Sequence, residues 1–230
     1  MMLDNYWLIK NLNTIGSTQD YAKSLDIEGK QIAITAQHQT NGYGQHGRQW
    51  TGFEGNLAVS LIIPAEKISS DVTLITSIAV GDVILNHGVN IEYKWVNDIL
   101  INGRKVAGIL TECFKGNLII GIGINIKASP EKTGNLPATN LLENGINISN
   151  DKFLDLILKS FNKTYNKWLQ DGFKSFKNIW KSRAYKFREI VTIIDGDSTI
   201  SGNFTDIDDY GRIIIQNDDG FHRIQSGSLK

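Results

Sequence analysis

The chain has little of what would tie it to several common chemistries. One cysteine in 230 residues, Cys113, excludes an internal disulfide and suits a reducing compartment. It lies in an apolar strand-like run, so a buried, inert thiol is expected. The four histidines, His38, His46, His87 and His222, fall at no zinc-binding spacing, and no Ser/His/Asp or Cys/His arrangement stands out. Neither a zinc centre nor a protein nucleophile is therefore expected. A charge excess is missing too. The 24 Lys and Arg balance 24 Asp and Glu, leaving no global field to draw nucleic acid or a membrane surface. No apolar run approaches the length of a bilayer span, and residues 1–10 mix Asp4, Asn5 and Lys10 with aromatics, unlike a secretory signal. The expected address is the cytoplasm.

What is present is ordinary globular material, 41% hydrophobic and 21% charged, enough for one good core and a small second domain. Ser17 is a plausible N-cap for a short amphipathic helix carrying Tyr21, Ala22 and Leu25. Residues 31–37 and 56–63 read as strands, and 71–86 as a mostly apolar helix packed on a sheet. Segments 91–96, 99–101, 105–113 and 118–126, with tight-turn signals at Asn102-Gly103 and Lys115-Gly116, read as an antiparallel meander. Residues 127–150 are expected as loop with a short helical turn. Helical spacing places Phe153, Leu154, Ile157, Leu158, Phe161, Tyr165 and Trp168 on the core stripe of a helix over 151–169, and a second helix is expected from 172 to about 183. From Glu189, short strands separated by Asp195-Gly196, Tyr210-Gly211 and Asp219-Gly220 predict a small β-barrel, with a boundary near Phe187.

Between the first two strand-like runs of this scheme lies His38 to Trp50, HQTNGYGQHGRQW, with Gly42, Gly44 and Gly47 close together. By letters Gly42-x-Gly44-x-x-Gly47 is a dinucleotide fingerprint, but that fingerprint needs a helix opening at its third glycine, and Arg48-Gln49-Trp50-Thr51-Gly52 opens none. Gly42-x4-Gly47 grazes the P-loop pattern, yet Arg48-Gln49 replaces Lys-Ser/Thr and removes the magnesium-holding hydroxyl. What survives is physical: glycines that let backbone N–H groups approach an anion, and an Arg48 fork suited to phosphate or carboxylate. A mobile surface loop without a ligand is the plain alternative.

Four further stretches decide between them. Ser17-Thr18-Gln19, Lys94-Trp95-Val96-Asn97-Asp98, Lys105-Val106-Ala107-Gly108-Ile109-Leu110-Thr111-Glu112 and Gly121-Ile122-Gly123-Ile124-Asn125 join Gly42–Trp50 in an order and spacing that resemble the biotin protein ligases. The resemblance spans residues 12 to 145, with a weaker echo in the last forty. It implies an α+β fold: a mixed, mainly antiparallel sheet with packed helices, of the class II synthetase-like biotin–lipoate ligase kind. A catalytic domain over 1–186 would be followed by a small C-terminal SH3-like barrel over 187–230. The space before Leu12 holds no helix-turn-helix, so the form implied is monofunctional, without an N-terminal DNA-binding domain and without direct DNA binding.

The same resemblance implies an ATP-dependent ligase that activates biotin as biotinyl-5'-AMP and transfers it to a lysine of the biotin carboxyl carrier domain of a biotin-dependent carboxylase. ATP and biotin would be substrates and Mg²⁺ a cofactor, and a homodimer is left open. Ser17, Thr18 and Gln39 would bond the ureido ring. Gly42, Tyr43, Gly108, Leu110, Gly121 and Gly123 would contact ring and tail, and Trp50 would pack over the acyl chain. Gly44, Gln45, Arg48, Asn97, Asp98 and Asn125 would face the nucleotide, with Asn125 near adenine and Asp98 helping to hold Mg²⁺. Lys105 would contact both the biotin carboxylate and the α-phosphate, and with Arg48 would be catalytic. Lys94 is expected in a supporting role, and its position beside Trp95 fits a structural salt bridge equally well.

Gln45 and Tyr43 depart from the family by standing where many relatives carry arginine. Val96 replaces proline, Gln19 replaces asparagine, and 137–141 occupies the region where some relatives place a tryptophan against adenine. A lipoate or octanoate ligase or transferase of the same fold is the nearest alternative, followed by a biotin sensor and a catalytically dead biotin-binding module.

Overall fold

The structure, a computed structural model, describes residues 2–4, 6–133 and 136–230. In chain order the elements are β1 (Leu8–Ile15), α1 (Thr18–Ser24), β2 (Ile32–Gln39), β3 (Leu57–Pro64), α2 (Val72–Leu85), β4 (Glu92–Lys94), β5 (Asp98–Ile101), β6 (Arg104–Phe114) and β7 (Asn117–Ile124). After them come β8 (Lys132–Thr133), β9 (Leu136–Pro137), α3 (Asn150–Asp171), α4 (Lys177–Lys181), β10 (Ile190–Asp195), β11 (Ser198–Ile207), β12 (Ile213–Asn217), β13 (Gly220–Ile224) and β14 (Ser228–Leu229).

The two turn signals in the meander act through backbone conformation. Asn102 and Gly103 have φ of 51° and 71°, and Lys115 and Gly116 have 49° and 76°, the paired left-handed geometry that closes a tight hairpin with the right twist. They join β5 to β6 and β6 to β7, and the seven-stranded sheet runs β1-β2-β3-β7-β6-β5-β4. All its pairings are antiparallel except β1 with β2. The α+β class and the meander stand as expected from the sequence. Strand β1 was not anticipated: its residues are mostly exposed or half-buried, so no clean alternation marks it. The expected second helix after 172 is a short 3₁₀ turn, Phe173–Ser175, followed by α4. Residues 127–150 contain the expected helical turn, at Leu142–Asn144, and also the β8–β9 pair; residues 134 and 135 of that segment lie outside the described residues.

Helices α2 and α3 pack on one face of the sheet. α2 is buried almost all round, which explains its lack of a polar stripe, and Trp168 of α3 donates from Nε1 to Asp71 Oδ2 at its start, 3.0 Å away. The odd positions of β3, Leu57, Val59, Leu61 and Ile63, join Ala107, Ile109, Ile120, Ile122 and Ile124 in this core. The opposite face is covered only in part, by α1, over a small cluster of Ala22, Ile27, Ile32, Ile34, Ile62 and Ile119. The C-terminal sheet, β13-β12-β11-β10-β14, is wholly antiparallel and SH3-like, as anticipated. Its Val191, Ile193, Phe204, Ile213 and Leu229 belong to the same hydrophobic cluster as α2 and α3.

Cys113 corrects an expectation. It is exposed, because β5 pairs with β6 only as far as Gly108 and the outer end of the β6–β7 hairpin runs on uncovered.

Candidate active site

Strand alternation makes the floor of the site. On the face that α1 leaves open, β3, β7 and β6 bring small residues into register: Ala58 opposite Gly123 opposite Gly108, and Ser60 opposite Gly121 opposite Leu110. The side chains between them point into the core, so a trough with slim walls lies directly over a rigid sheet. A Cβ on Gly123 would strike the Trp50 indole, and one on Gly108 would stand 3.3 Å from it. Trp50 therefore lies along the trough.

At one end stands the start of α1. Ser17 caps it, its Oγ accepting from the backbone N–H groups of Gln19 and Asp20. Thr18 donates to Gln39 Oε1 twice, from its backbone N at 2.8 Å and its Oγ1 at 3.0 Å. Ser17, Thr18 and Gln19 are all buried. The N-cap expected of Ser17 is thus present, and its side chain also lines the cavity.

The glycine-rich segment is a flap. Gly44 N donates to Arg48 O, Trp50 N donates to Gly42 O, and a 3₁₀ turn at Gln45–Gly47 caps the excursion, with His46 and Gly47 at positive φ. No helix opens there, in keeping with the exclusion of both nucleotide-loop patterns. Tyr43 ties the flap down: its hydroxyl donates to Asp20 Oδ1 at 2.8 Å and accepts from Lys23 Nζ at 2.9 Å. Lys23 also pairs with Glu112 of β6 at 2.9 Å. Burial, with the Asp20 and Glu112 carboxylates nearby, pushes the Tyr43 phenol up to about 12, so it stays neutral and keeps its proton to donate.

Cations gather at the other end. Lys105 begins β6 next to its turn, with Nζ 2.6 Å from Asp98 Oδ1 and 5.6 Å from the centre of the Trp50 ring. The contact with Asp98 is close but poorly aligned, which leaves Oδ1 without a well-directed donor. Lys94 is 3.9 Å from the other Asp98 oxygen, the salt bridge expected of it. Burial, with Lys105, Lys230 and Arg48 nearby, depresses the Lys94 pKa below the ordinary lysine value despite Asp98. Arg48 reaches across to the C-terminal sheet, donating from Nη2 to Ser228 Oγ at 2.7 Å.

These groups surround one cavity of about 680 Å³. It is lined by Ser17, Thr18, Gln39, Tyr43, Gly44, Gln45, Arg48, Trp50, Asn97, Asp98, Lys105, Gly108, Leu110, Gly121 and Gly123, all singled out from the sequence. Two others are not brought there. Gly42 sits at the root of the flap, where a Cβ would meet Gln39 Nε2 and Trp50 O at 2.9 Å each. Asn125 is buried, its Nδ2 donating to Thr139 O and its Oδ1 accepting from Asn56, so it fastens the chain after β7 and does not face the cavity. Asn97 lines the cavity while its amide donates to Ile109 O at 3.0 Å, so part of its capacity serves the fold. Sequence reasoning missed Ser60, Lys23 and the lining contributed by Tyr185, Lys186, Ser228 and Lys230. Ser60 had one visible signal, a lone hydroxyl in an otherwise apolar strand.

The family model for the biotin/lipoate A/B protein ligase family matches residues 12–129, and the model for the biotin protein ligase C-terminal domain matches 189–228. The chain belongs to this family. Biotin ligases are among the proteins it is similar to. The bifunctional ligase/repressor BirA of Bacillus subtilis is 32% identical over 95% of this chain and 72% of its own length. The biotin–[acetyl-CoA-carboxylase] ligase of Paracoccus denitrificans is 28% identical over 80% of this chain and 83% of its own. Among solved structures, the biotin protein ligase of Aquifex aeolicus in complex with biotin and ATP superposes with a TM-score of 0.84 at 29% identity, covering 98% of this chain and 97% of that one. Among the described residues, no helix is long and apolar enough to cross a membrane.

Proposed function

We propose that this family member joins biotin to a lysine of a biotin carboxyl carrier domain in two steps inside the one cavity. The observation that carries the reading is the convergence of Arg48 and Lys105, from flap and floor, on a trough whose far end holds Ser17, Thr18 and Gln39. That is the layout needed by a long acid with a polar ring at its tail.

In the first step a biotin carboxylate oxygen attacks the α-phosphorus of ATP, the bond to the β-phosphate bridging oxygen breaks, and diphosphate leaves. Lys105 would meet both the carboxylate and the α-phosphate, and Arg48 would grip phosphate oxygens as charge builds on them. In the second step the acceptor amine attacks the acyl carbon, AMP departs, and the amide forms with loss of a proton. No protein nucleophile is called for, in keeping with the absence of one from the sequence. The flap and Trp50 would keep water from the acyl phosphate between the two steps.

Asp98 is the residue to hold Mg²⁺. Such an ion needs only one or two protein carboxylates beside phosphate oxygens and water, and Asp98 Oδ1 has no aligned donor of its own. When bound, the ion would neutralise phosphate charge. We assign 1–186 to ligation and 187–230 to the small domain that completes the cavity through Ser228 and Lys230, and take the reducing cytoplasm as its setting.

Labelled biotin, ATP and a carrier domain supply the test. Label should reach the carrier from wild type and not from Lys105→Ala, and diphosphate exchange should respond to biotin and ignore lipoate. Exchange driven by lipoate alone would reassign the substrate.

A further inference from the structure

Arg48 belongs to the flap, but its side chain is fixed from another part of the molecule. Its backbone is tied within the flap: Arg48 N donates to Gln45 O at 3.2 Å, and its carbonyl accepts from Gly44 N at 2.8 Å. Its guanidinium is held by the C-terminal sheet, with Nη2 donating to Ser228 Oγ at 2.7 Å across 180 positions of sequence. Both residues line the cavity. Ser228 is a firm post. It begins β14 opposite Ile194 of β10, the next residue Leu229 is fully buried opposite Ile193, and Lys230 N donates to Thr192 O at 2.8 Å. On the other side, Gly227 has a φ of 128°, and a Cβ there would stand 2.8 Å from Ile193 Cγ2 and 2.9 Å from Ile194 O. The bare backbone lets the chain close onto β10 just before the hydroxyl that Arg48 meets.

The chemistry of the post matters. A carboxylate here would hold the guanidinium more strongly, but it would also neutralise it. A hydroxyl oxygen accepts one N–H and leaves the charge and the other donors of the fork free. Among the described residues, no carboxylate pairs with this guanidinium and no second acceptor takes one of its N–H groups. Lys94 and Lys105 differ, since both stand against Asp98. Arg48 is thus a cation held in place with its charge unspent.

We propose that Ser228 is a positioning residue for the first step: it fixes the Arg48 fork in the cavity, so that the small sheet aims the charge carried by the flap. The inference rests on the reading above, which supplies the phosphate. A long side chain on a flap loses rotamer freedom when it grips an anion. Ser228 removes part of that freedom before the ligand arrives, so the arginine meets developing charge already oriented. Ser228 need not touch ATP.

The test is biotin-dependent diphosphate exchange by the full chain, run as a double-mutant cycle with folding checked by thermal unfolding. Ser228→Ala should lower kcat roughly tenfold and leave the KM for biotin unchanged, because the far end of the trough is untouched. Its unfolding midpoint should match wild type. In an Arg48→Ala background, where Lys105 still sustains a slow exchange, adding Ser228→Ala should change the rate by less than about twofold, because its effect runs through the absent arginine. Ser228→Thr keeps the acceptor and should exchange within about threefold of wild type. The inference is overturned by a Ser228→Ala protein that exchanges as wild type does, by a loss of equal size with and without Arg48, or by a Ser228→Thr protein as slow as Ser228→Ala. A wild-type chain with no biotin-dependent exchange would remove the functional reading itself, and this inference with it.

Discussion

Lys94, Asp98 and Lys105 form a charged trio with more positive than negative charge and little water around it. On the proposed reading, the excess positive charge is there to meet an anionic substrate. Lys105→Ala should lower the rate of biotin-dependent diphosphate exchange by about 10²–10³, the usual cost of losing one preorganised group aimed at developing charge. An exchange rate within a factor of about three of wild type would remove Lys105 from the chemistry. Lys94 allows a stability prediction with a definite sign. Its folded pKa is depressed by burial and by neighbouring cations, so the unfolded chain holds this proton more tightly. The resulting penalty is fully present at neutral pH and is lost as pH rises through the lysine range. Lys94→Met should therefore raise the ligand-free unfolding midpoint at pH 7 and weaken ATP binding, and its stabilising effect should shrink by pH 10.5. A lower midpoint at pH 7 would mean that Lys94 is paired well enough to stabilise the fold. Lys105 could be singled out in the sequence because it follows the Asn102-Gly103 turn and opens the Lys105–Glu112 stretch that resembles a block of the family. Ser60 could not be, because a single hydroxyl in a buried strand usually satisfies a local backbone group, and its partners lie more than forty positions away.

The flap is the element whose behaviour departs most from a family-based reading. Arginine is replaced at 43 and 45, yet the segment is held, because the Tyr43 hydroxyl joins α1 to β6 through Lys23, Asp20 and Glu112. Fixing ten backbone residues costs roughly 10–20 kcal/mol in entropy, so a free loop of this composition would stay open without such ties. Tyr43→Phe should speed amide exchange across residues 42–50 and hasten adenylate release, whereas unchanged exchange would show that the phenol carries no share of closure. Gln45→Arg should slow adenylate release, since Gln45 lines the cavity without charge. Equal release rates in the two proteins would mean that Arg48 and Lys105 already suffice. The strand–loop–strand order was readable from glycine spacing and the missing helix. The Tyr43 tie was not, because its partners, Asp20 and Lys23 of α1 and Glu112 of β6, come from segments distant in sequence.

Taken whole, the described residues place the seven-stranded and five-stranded sheets around one shared hydrophobic cluster, beside the short β8–β9 pair and the small cluster under α1. Trp95 Nε1 donates to Gly211 O at 3.2 Å, Lys177 and Lys181 pair with Asp206, and the inner faces of β10 to β12 pack into the main core. Denaturant unfolding followed by fluorescence and by far-ultraviolet dichroism should accordingly give one coincident transition. Two separated transitions would show that the small sheet is only loosely docked. The meander and long helices could be read from their periodicity, while β1 could not, being an edge strand with neither face well buried. The tryptophans have a practical outcome. Trp95, Trp168 and Trp180 are sealed in the interior, whereas Trp50 rests half-covered on Gly108 and Gly123 in the trough. On the proposed reading an incoming acyl chain shares that berth, so the indole's emission would serve as a built-in gauge of occupancy, readable on the unlabelled protein during a single turnover.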